Sequence, residues 1–319
     1  MGHFAYRVYR RPFQRSLQTH HGRWDVRDGL LVRLSVGDRQ GYGEIAPLPW
    51  FGSETQAQAV ALCQSLPPKL SLGQIHAIPD RYPACQFGLE SAWEQLHHPQ
   101  PTPAPRENAH LLPTGIDALA AWDDPWQQGR RTFKWKIGAA PLAQELALFE
   151  RLLLTLPTAA TLRLDANGGL TLNDAQIWLE RCDRLGPEAV TIDCVEQPLP
   201  PGQFPQLLGL QQRHQTAIAL DESVATVAQL EHCLQRGWQG VVVIKGAIAG
   251  FPSRLRQVCQ RYQADVIWSS VFETAVARRY IHSHLVPAVP SRRPLGFGVA
   301  HWFANDLDSG CASQIWSRL

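Results

Sequence analysis

Lysines and carboxylates recur at one phase of this chain. Lys136 in TFKWK, Asp165 in TLRLDANG, Glu196 in VTIDCVEQP, Asp221 in AIALDES and Lys245 in GVVVIKG each close a short apolar run, and Ser270 closes another in VIWSS. The steps between them are 29, 31, 25, 24 and 25 residues, each about one strand-plus-helix unit. Asp165, Glu196 and Asp221 form an oxygen-only set without His or Cys. Such a set suits Mg²⁺, whose octahedron keeps positions for water and for a substrate carboxylate. Three close anions lacking a cation would repel and raise one another's pKa. Taken singly, Asp165 and Asp221 read equally well as helix caps and Glu196 as a surface strand end. Their common phase on consecutive strands favours a metal.

Lys134 and Lys136 stand two apart, so on a strand they share a face, while Trp135 points the other way, toward the helices. Two close ammonium groups and partial burial are expected to lower a lysine pKa toward the range of a base, although Lys134 could instead pair with a carboxylate. Lys245, three strands beyond Asp165, is expected to face this pair across the metal cluster. A lysine on either side of a metal is an arrangement for removing a proton α to a carboxylate. A Schiff-base aldolase would use one such lysine without needing three carboxylates.

These residues need a frame that brings many strand ends to one rim. Strand and helix alternate beyond residue 130, which means a parallel sheet. One helix is marked by Pro141 at its start and by Leu142, Leu146, Phe149, Leu153 and Leu156 at 4-3-4-3 spacing. A polar residue at the C-terminal end of every strand predicts a (β/α) barrel. An open doubly wound sheet gathers its ligands at one switch point, and no GxGxxG follows the first strand. Residues 1 to about 50 alternate as strands, with LLVRLSV and GYGEI joined by a turn at GDRQ, and Glu54 to about Leu96 reads as helical, interrupted at Pro67–Pro68 and Pro83. HHPQPTPAPR, with prolines at 99, 101, 103 and 105, predicts a stiff connector between two domains.

Composition narrows the classes. The chain has 319 residues, 45% apolar side chains and a formal charge of +2, with no global field for nucleic acid or an anionic membrane. No apolar run approaches the length of a membrane span, and MGHFAYRVYRRPF lacks the continuous apolar stretch of a secretion signal. Seven scattered cysteines without a CxxC pair read as buried free thiols in a reducing, cytoplasmic compartment.

In this order KWK, LDAN, VEQP, LDES and VVIK resemble the enolase superfamily, in its muconate-lactonizing-enzyme subgroup. The resemblance implies a modified (β/α)7β TIM-like barrel over residues 106–298, an α+β capping domain over 1–105, and a tail, 299–319, packed back on the cap. It also implies Mg²⁺ held by Asp165, Glu196 and Asp221. Within the subgroup, GYGEIAPLPWFGSET and VIWSSVFET are similar to the o-succinylbenzoate synthase family, with Trp50 and Phe272 as departures. That similarity implies a small-molecule carboxylate substrate, with Ser269, Ser270 and Gly296 of LGFG as binding candidates. It implies dehydration of 2-succinyl-6-hydroxy-2,4-cyclohexadiene-1-carboxylate in menaquinone or phylloquinone synthesis. Lys136 would take the α-proton, and Lys245 would stabilise the intermediate through cation–π contact with the ring. N-acylamino-acid racemases share the lysine pair. Dipeptide epimerases carry an acidic pair after the last barrel strand, where this chain reads GFGVAHWF. A cycloisomerase is less supported by the N-terminal segment, and a non-catalytic binding barrel would have lost one of the five charged positions. The oligomeric state is not legible.

Further residues carry weaker expectations. His20, His21, Arg23 and Arg27 are candidates for substrate contact or for plain solvation. Glu44 reads as structural, the eleven tryptophans as packing, and Arg163 as lying deeper in the barrel beside a carboxylate.

Overall fold

The computed structural model describes residues 1–19, 22–101, 106–186, 188–299, 302–303 and 307–319. His20 and His21 lie outside these, as do residues 102–105 of the expected connector.

The N-terminal strands β1 (Gly2–Thr19), β2 (Gly22–Val36), β3 (Arg39–Ile45) and β4 (Lys69–Leu70) form an antiparallel sheet in the order β3-β2-β1-β4. The helix Pro83–His97 lies against β3. Pro83, expected to interrupt, instead opens this helix, where its missing N–H costs nothing. The GYG stretch shows why its residues are small. A Cβ on Gly41 would stand 2.0 Å from Ala92 O, and one on Gly43 1.9 Å from Gly88 O. Helix and sheet meet backbone to backbone there.

Beyond residue 107 come β5 (His110–Leu111), β6 (Thr132–Lys136), β7 (Thr161–Asp165), β8 (Thr191–Glu196), β9 (Ile218–Leu220), β10 (Val241–Lys245) and β11 (Asp265–Ser269), parallel and paired in chain order. Leu295–Gly296 closes the ring: Asn108 bridges Leu295 on one side and Ser269 bridges Gly296 on the other, both parallel. Seven strands and a two-residue eighth stave form the barrel. Helices cover its outside, including Leu142–Thr155, which starts just after Pro141 and buries Phe149 and Leu152. Trp135 points outward and meets Trp178 edge-on in this layer. Inside are Cys194, Ala219, Val241, Val243 and Ile267. Near them Arg163 donates to Asp193, at 2.9 Å from Nε and 2.6 Å from Nη2, which is the carboxylate partner expected for it.

The sheet domain and barrel share one apolar core. Ile315 and Trp316 of the terminal helix Ala312–Arg318 pack with Tyr9, Leu31 and Tyr42 of the N-terminal sheet. Glu44 joins sheet domain and barrel. Its carboxylate accepts from Tyr9 Oη (2.6 Å), Thr274 N (2.9 Å), Thr274 Oγ1 (2.5 Å) and Ala277 N (3.2 Å), capping the helix Ala275–Tyr280 in the structural role expected for it. Six cysteines are buried free thiols, but Cys311 is exposed on the terminal segment, contrary to the expectation that all seven were buried. No apolar periodicity there demands its burial.

Candidate active site

Strand register lines up the charged residues. Lys136 pairs with Asp165 across β6 and β7, and Asp165 with Glu196 across β7 and β8. Lys245 pairs with Ser269 across β10 and β11. Asp221 directly follows β9.

Lys134 Nζ lies 2.8 Å from Asp165 Oδ2 and 2.7 Å from Glu196 Oε1. Lys245 pairs with Asp221, and its Nζ is 3.8 Å from the centre of the Phe51 ring. Lys136 is half-buried at the end of β6. The loop that follows it is held by Glu145, whose carboxylate accepts from Gly138 N (2.7 Å), Ala139 N (2.8 Å) and Ala140 N (2.9 Å).

These contacts set the electrostatics. Burial works against the charge on Lys134, but Asp165, Glu196 and Asp221 outweigh it and raise its pKa. Lys134 thus takes the carboxylate pairing that its sequence reading allowed, and the expected fall in pKa does not hold for it, because among anions its ammonium form is favoured. Burial raises Asp165 too, yet Lys134 and Lys136 bring it net below its ordinary value. Glu196 is pushed up to about 7 by burial and by the charge of Asp165. Burial, opposed by Lys245, takes Asp221 up to about 6.

Among the described residues no three His, Cys, Asp or Glu side chains are arranged to hold a metal ion as they stand. Ammonium groups lie against the carboxylates instead, because buried anions take the nearest cation. The donor set still fits a hard cation. Glu196 Oε2 is buried with nothing donating to it, and so is Oε2 of neighbouring Glu222. Two buried acceptor oxygens lacking donors beside an all-carboxylate cluster are what a divalent ion would satisfy.

Reading the sequence missed the supports around this cluster. Gln197 accepts from Asp221 N (2.9 Å) and Ser223 N (3.2 Å) and donates to Ser223 Oγ (2.8 Å), locking β8 to the turn that carries Asp221. Asn167 donates to Asp165 Oδ1 from its backbone (3.1 Å) and to Glu222 Oε1 from its side chain (3.3 Å). The polar residues directly after each strand were the available signal. Just past β11, beside the strand that carries Lys245, Ser270 Oγ donates to Glu273 Oε2 (2.7 Å) and accepts from Phe272 N (2.9 Å). Its one proton is thereby engaged within its own loop. Ser269 is half-buried beside Gly296, where a Cβ would stand 2.8 Å from Ser269 Oγ. Arg23 pairs with Asp25 at the surface (2.8 Å), and Arg27 is buried among carbonyl oxygens. Trp50 and Phe272 both meet Trp24 edge-on, at 4.9 and 5.4 Å, and Phe272 also packs on Phe13 and Phe303.

Residues 117–310 match the family model described as enolase C-terminal domain-like, and residues 3–96 match the MenC N-terminal domain. An o-succinylbenzoate synthase of Thermosynechococcus vestitus is 41% identical over 99% of both chains. The chain belongs to the o-succinylbenzoate synthase family of the enolase superfamily. A second family member, from Yersinia pseudotuberculosis, is 30% identical over 81% of this chain and 78% of its own. Among solved structures, the o-succinylbenzoate synthase of Thermosynechococcus elongatus BP-1, complexed with Mg in its active site, superposes with a TM-score of 0.92 at 40% identity. It covers 99% of this chain and 100% of its own. A dipeptide epimerase from Enterococcus faecalis shares the fold at a TM-score of 0.81 and 18% identity, covering 96% of this chain and 94% of its own. The modified (β/α)7β barrel with its N-terminal cap is the architecture of this superfamily.

Proposed function

We propose that this chain catalyses dehydration of 2-succinyl-6-hydroxy-2,4-cyclohexadiene-1-carboxylate to o-succinylbenzoate, a hydro-lyase step of menaquinone or phylloquinone synthesis in the cytoplasm. The observation that carries the reading is the in-register row Lys136–Asp165–Glu196, completed by Lys245 on Asp221. Asp165, Glu196 and Asp221 would hold Mg²⁺, which when bound supplies positive charge where the substrate carboxylate gains electron density. Lys136 takes the proton α to that carboxylate onto Nζ and returns it to the departing 6-hydroxyl. Water leaves and the ring becomes aromatic. Lys245 faces the opposite side of the ring and stabilises the anion through its ammonium. Lys134 stays protonated and holds Asp165 and Glu196 side by side. Ser269 and Gly296 form the wall that receives the succinyl carboxylate, with Ser270 shaping it through Glu273.

A racemase reading shares the lysine pair, so the decisive experiment runs both reactions. Purified protein with Mg²⁺ is expected to form aromatic product, followed by ultraviolet absorbance, and EDTA should abolish it reversibly. Lys136→Ala should lose about 10²–10⁴-fold in rate. No product from the wild type, together with α-hydrogen exchange on an N-acylamino acid, would transfer the assignment to racemisation.

A further inference from the structure

Arg27 is a cation buried to 2% exposure, and among the described residues no carboxylate forms an ion pair with it. Its hydrogen bonds go to carbonyl oxygens: Nε donates to Val271 O (2.9 Å), Nη1 to Asp28 O and Pro47 O (2.7 Å each), and Nη2 to Ala46 O (2.5 Å). Its guanidinium carbon lies 5.8 Å from the centre of the Trp24 ring. A buried charge without a counter-ion is costly unless its geometry does something a neutral group cannot. Here the planar fork reaches two loops at once. Ala46 and Pro47 lead into the turn Pro49–Phe51, whose Phe51 ring lies against Lys245. Val271 sits between Ser270 and Phe272 in the loop after β11, the strand that pairs with β10 and sets Ser269 beside Lys245. Lysine offers three donors from a single point and cannot span both loops with fixed angles.

We propose that Arg27 is a positioning residue for the dehydration. It clamps the cap turn carrying Phe51 and the loop beside Ser269 and Ser270 into one wall, and acts on the reaction through Lys245 and the substrate pocket. The inference rests on the reaction assigned above. Displacing reacting groups by about 1 Å can cost roughly 10²-fold in rate.

The test compares Arg27→Lys, Arg27→Met and Arg27→Ala with wild type, each checked for folding by thermal melting. Folded Arg27→Lys and Arg27→Met are expected to lose about 10- to 100-fold in kcat. Millimolar guanidinium should restore Arg27→Ala, and ammonium at equal ionic strength should not. Combining Arg27→Met with Phe51→Leu should cost less than the two losses multiplied, because both act on Lys245. Independently of turnover, hydrogen exchange in Arg27→Met should quicken together at residues 46–51 and 271–272. Wild-type kcat in folded Arg27→Lys and Arg27→Met would overturn the proposal. So would unchanged exchange at both loops, or a loss that tracks only the unfolded fraction and ignores guanidinium. A wild type inactive in dehydration but showing the paired exchange change would sink the assigned reaction and leave the clamp standing.

Discussion

Asp165 and Glu196 stand directly opposite each other on neighbouring strands, and one ammonium group, that of Lys134, lies within 2.8 Å of the first and 2.7 Å of the second. Two buried carboxylates at this register repel unless a cation stands between them. Lys134 fills that role in the protein alone, and a divalent ion would share it.

Lys134→Met therefore exposes Asp165 and Glu196 to each other. Breaking a buried pair costs about 3–5 kcal/mol, so the variant should melt well below wild type in EDTA. Mg²⁺ should recover more of its melting temperature than it adds to wild type. Equal metal responses would show that Lys134 does not neutralise this pair.

Gly296→Ala places a methyl group 2.8 Å from Ser269 Oγ. The barrel should fold, since the φ of Gly296 does not lie in the left-handed region. kcat/KM is expected to fall roughly 10- to 200-fold, mainly through KM, the penalty of one extra carbon in a tight pocket. Unaltered KM would remove this face from the substrate site.

Gly43→Ala tests the seam between sheet and helix. Its Cβ would meet Gly88 O at 1.9 Å, and backbone on both sides leaves nothing to rotate away. A loss of about 1–3 kcal/mol is expected in urea unfolding, with little change in kcat for the fraction that remains folded.

His282 makes stability pH-dependent through a group outside the lysine–carboxylate cluster. Burial, with Arg278 and Arg106 nearby, pushes its pKa down to about 4. The folded chain keeps the imidazole neutral while the unfolded chain protonates it near its ordinary value of 6.5. Its contribution is therefore intact above about pH 6.5 and is lost as pH falls toward 4. His282→Gln should flatten this part of the profile when urea midpoints are compared at pH 7 and pH 5. An unchanged difference between the two midpoints would place the acid sensitivity elsewhere.

The site was legible in the sequence as far as strand geometry reaches. A strand alternates its faces and a strand-plus-helix unit has a narrow length, so spacing alone aligned Lys136, Asp165, Glu196, Asp221 and Lys245 and predicted the barrel. Family motifs added the cap. Closure through Leu295–Gly296 left no such trace, because two residues carry no periodicity.

What the chain order determined by itself was which residues reach the rim; what only tertiary structure decided was whom each one touches there. Lys134 sits against anions brought from two other strands, so its pKa rises where the KWK spacing alone suggested a fall. The proton of Ser270 is engaged by Glu273, and Arg27 turns to the carbonyls of loops 20 and 244 residues away in sequence. Local pattern governs direction along a strand. Pairing of buried charges and donors depends on distances between segments, and folding alone sets those.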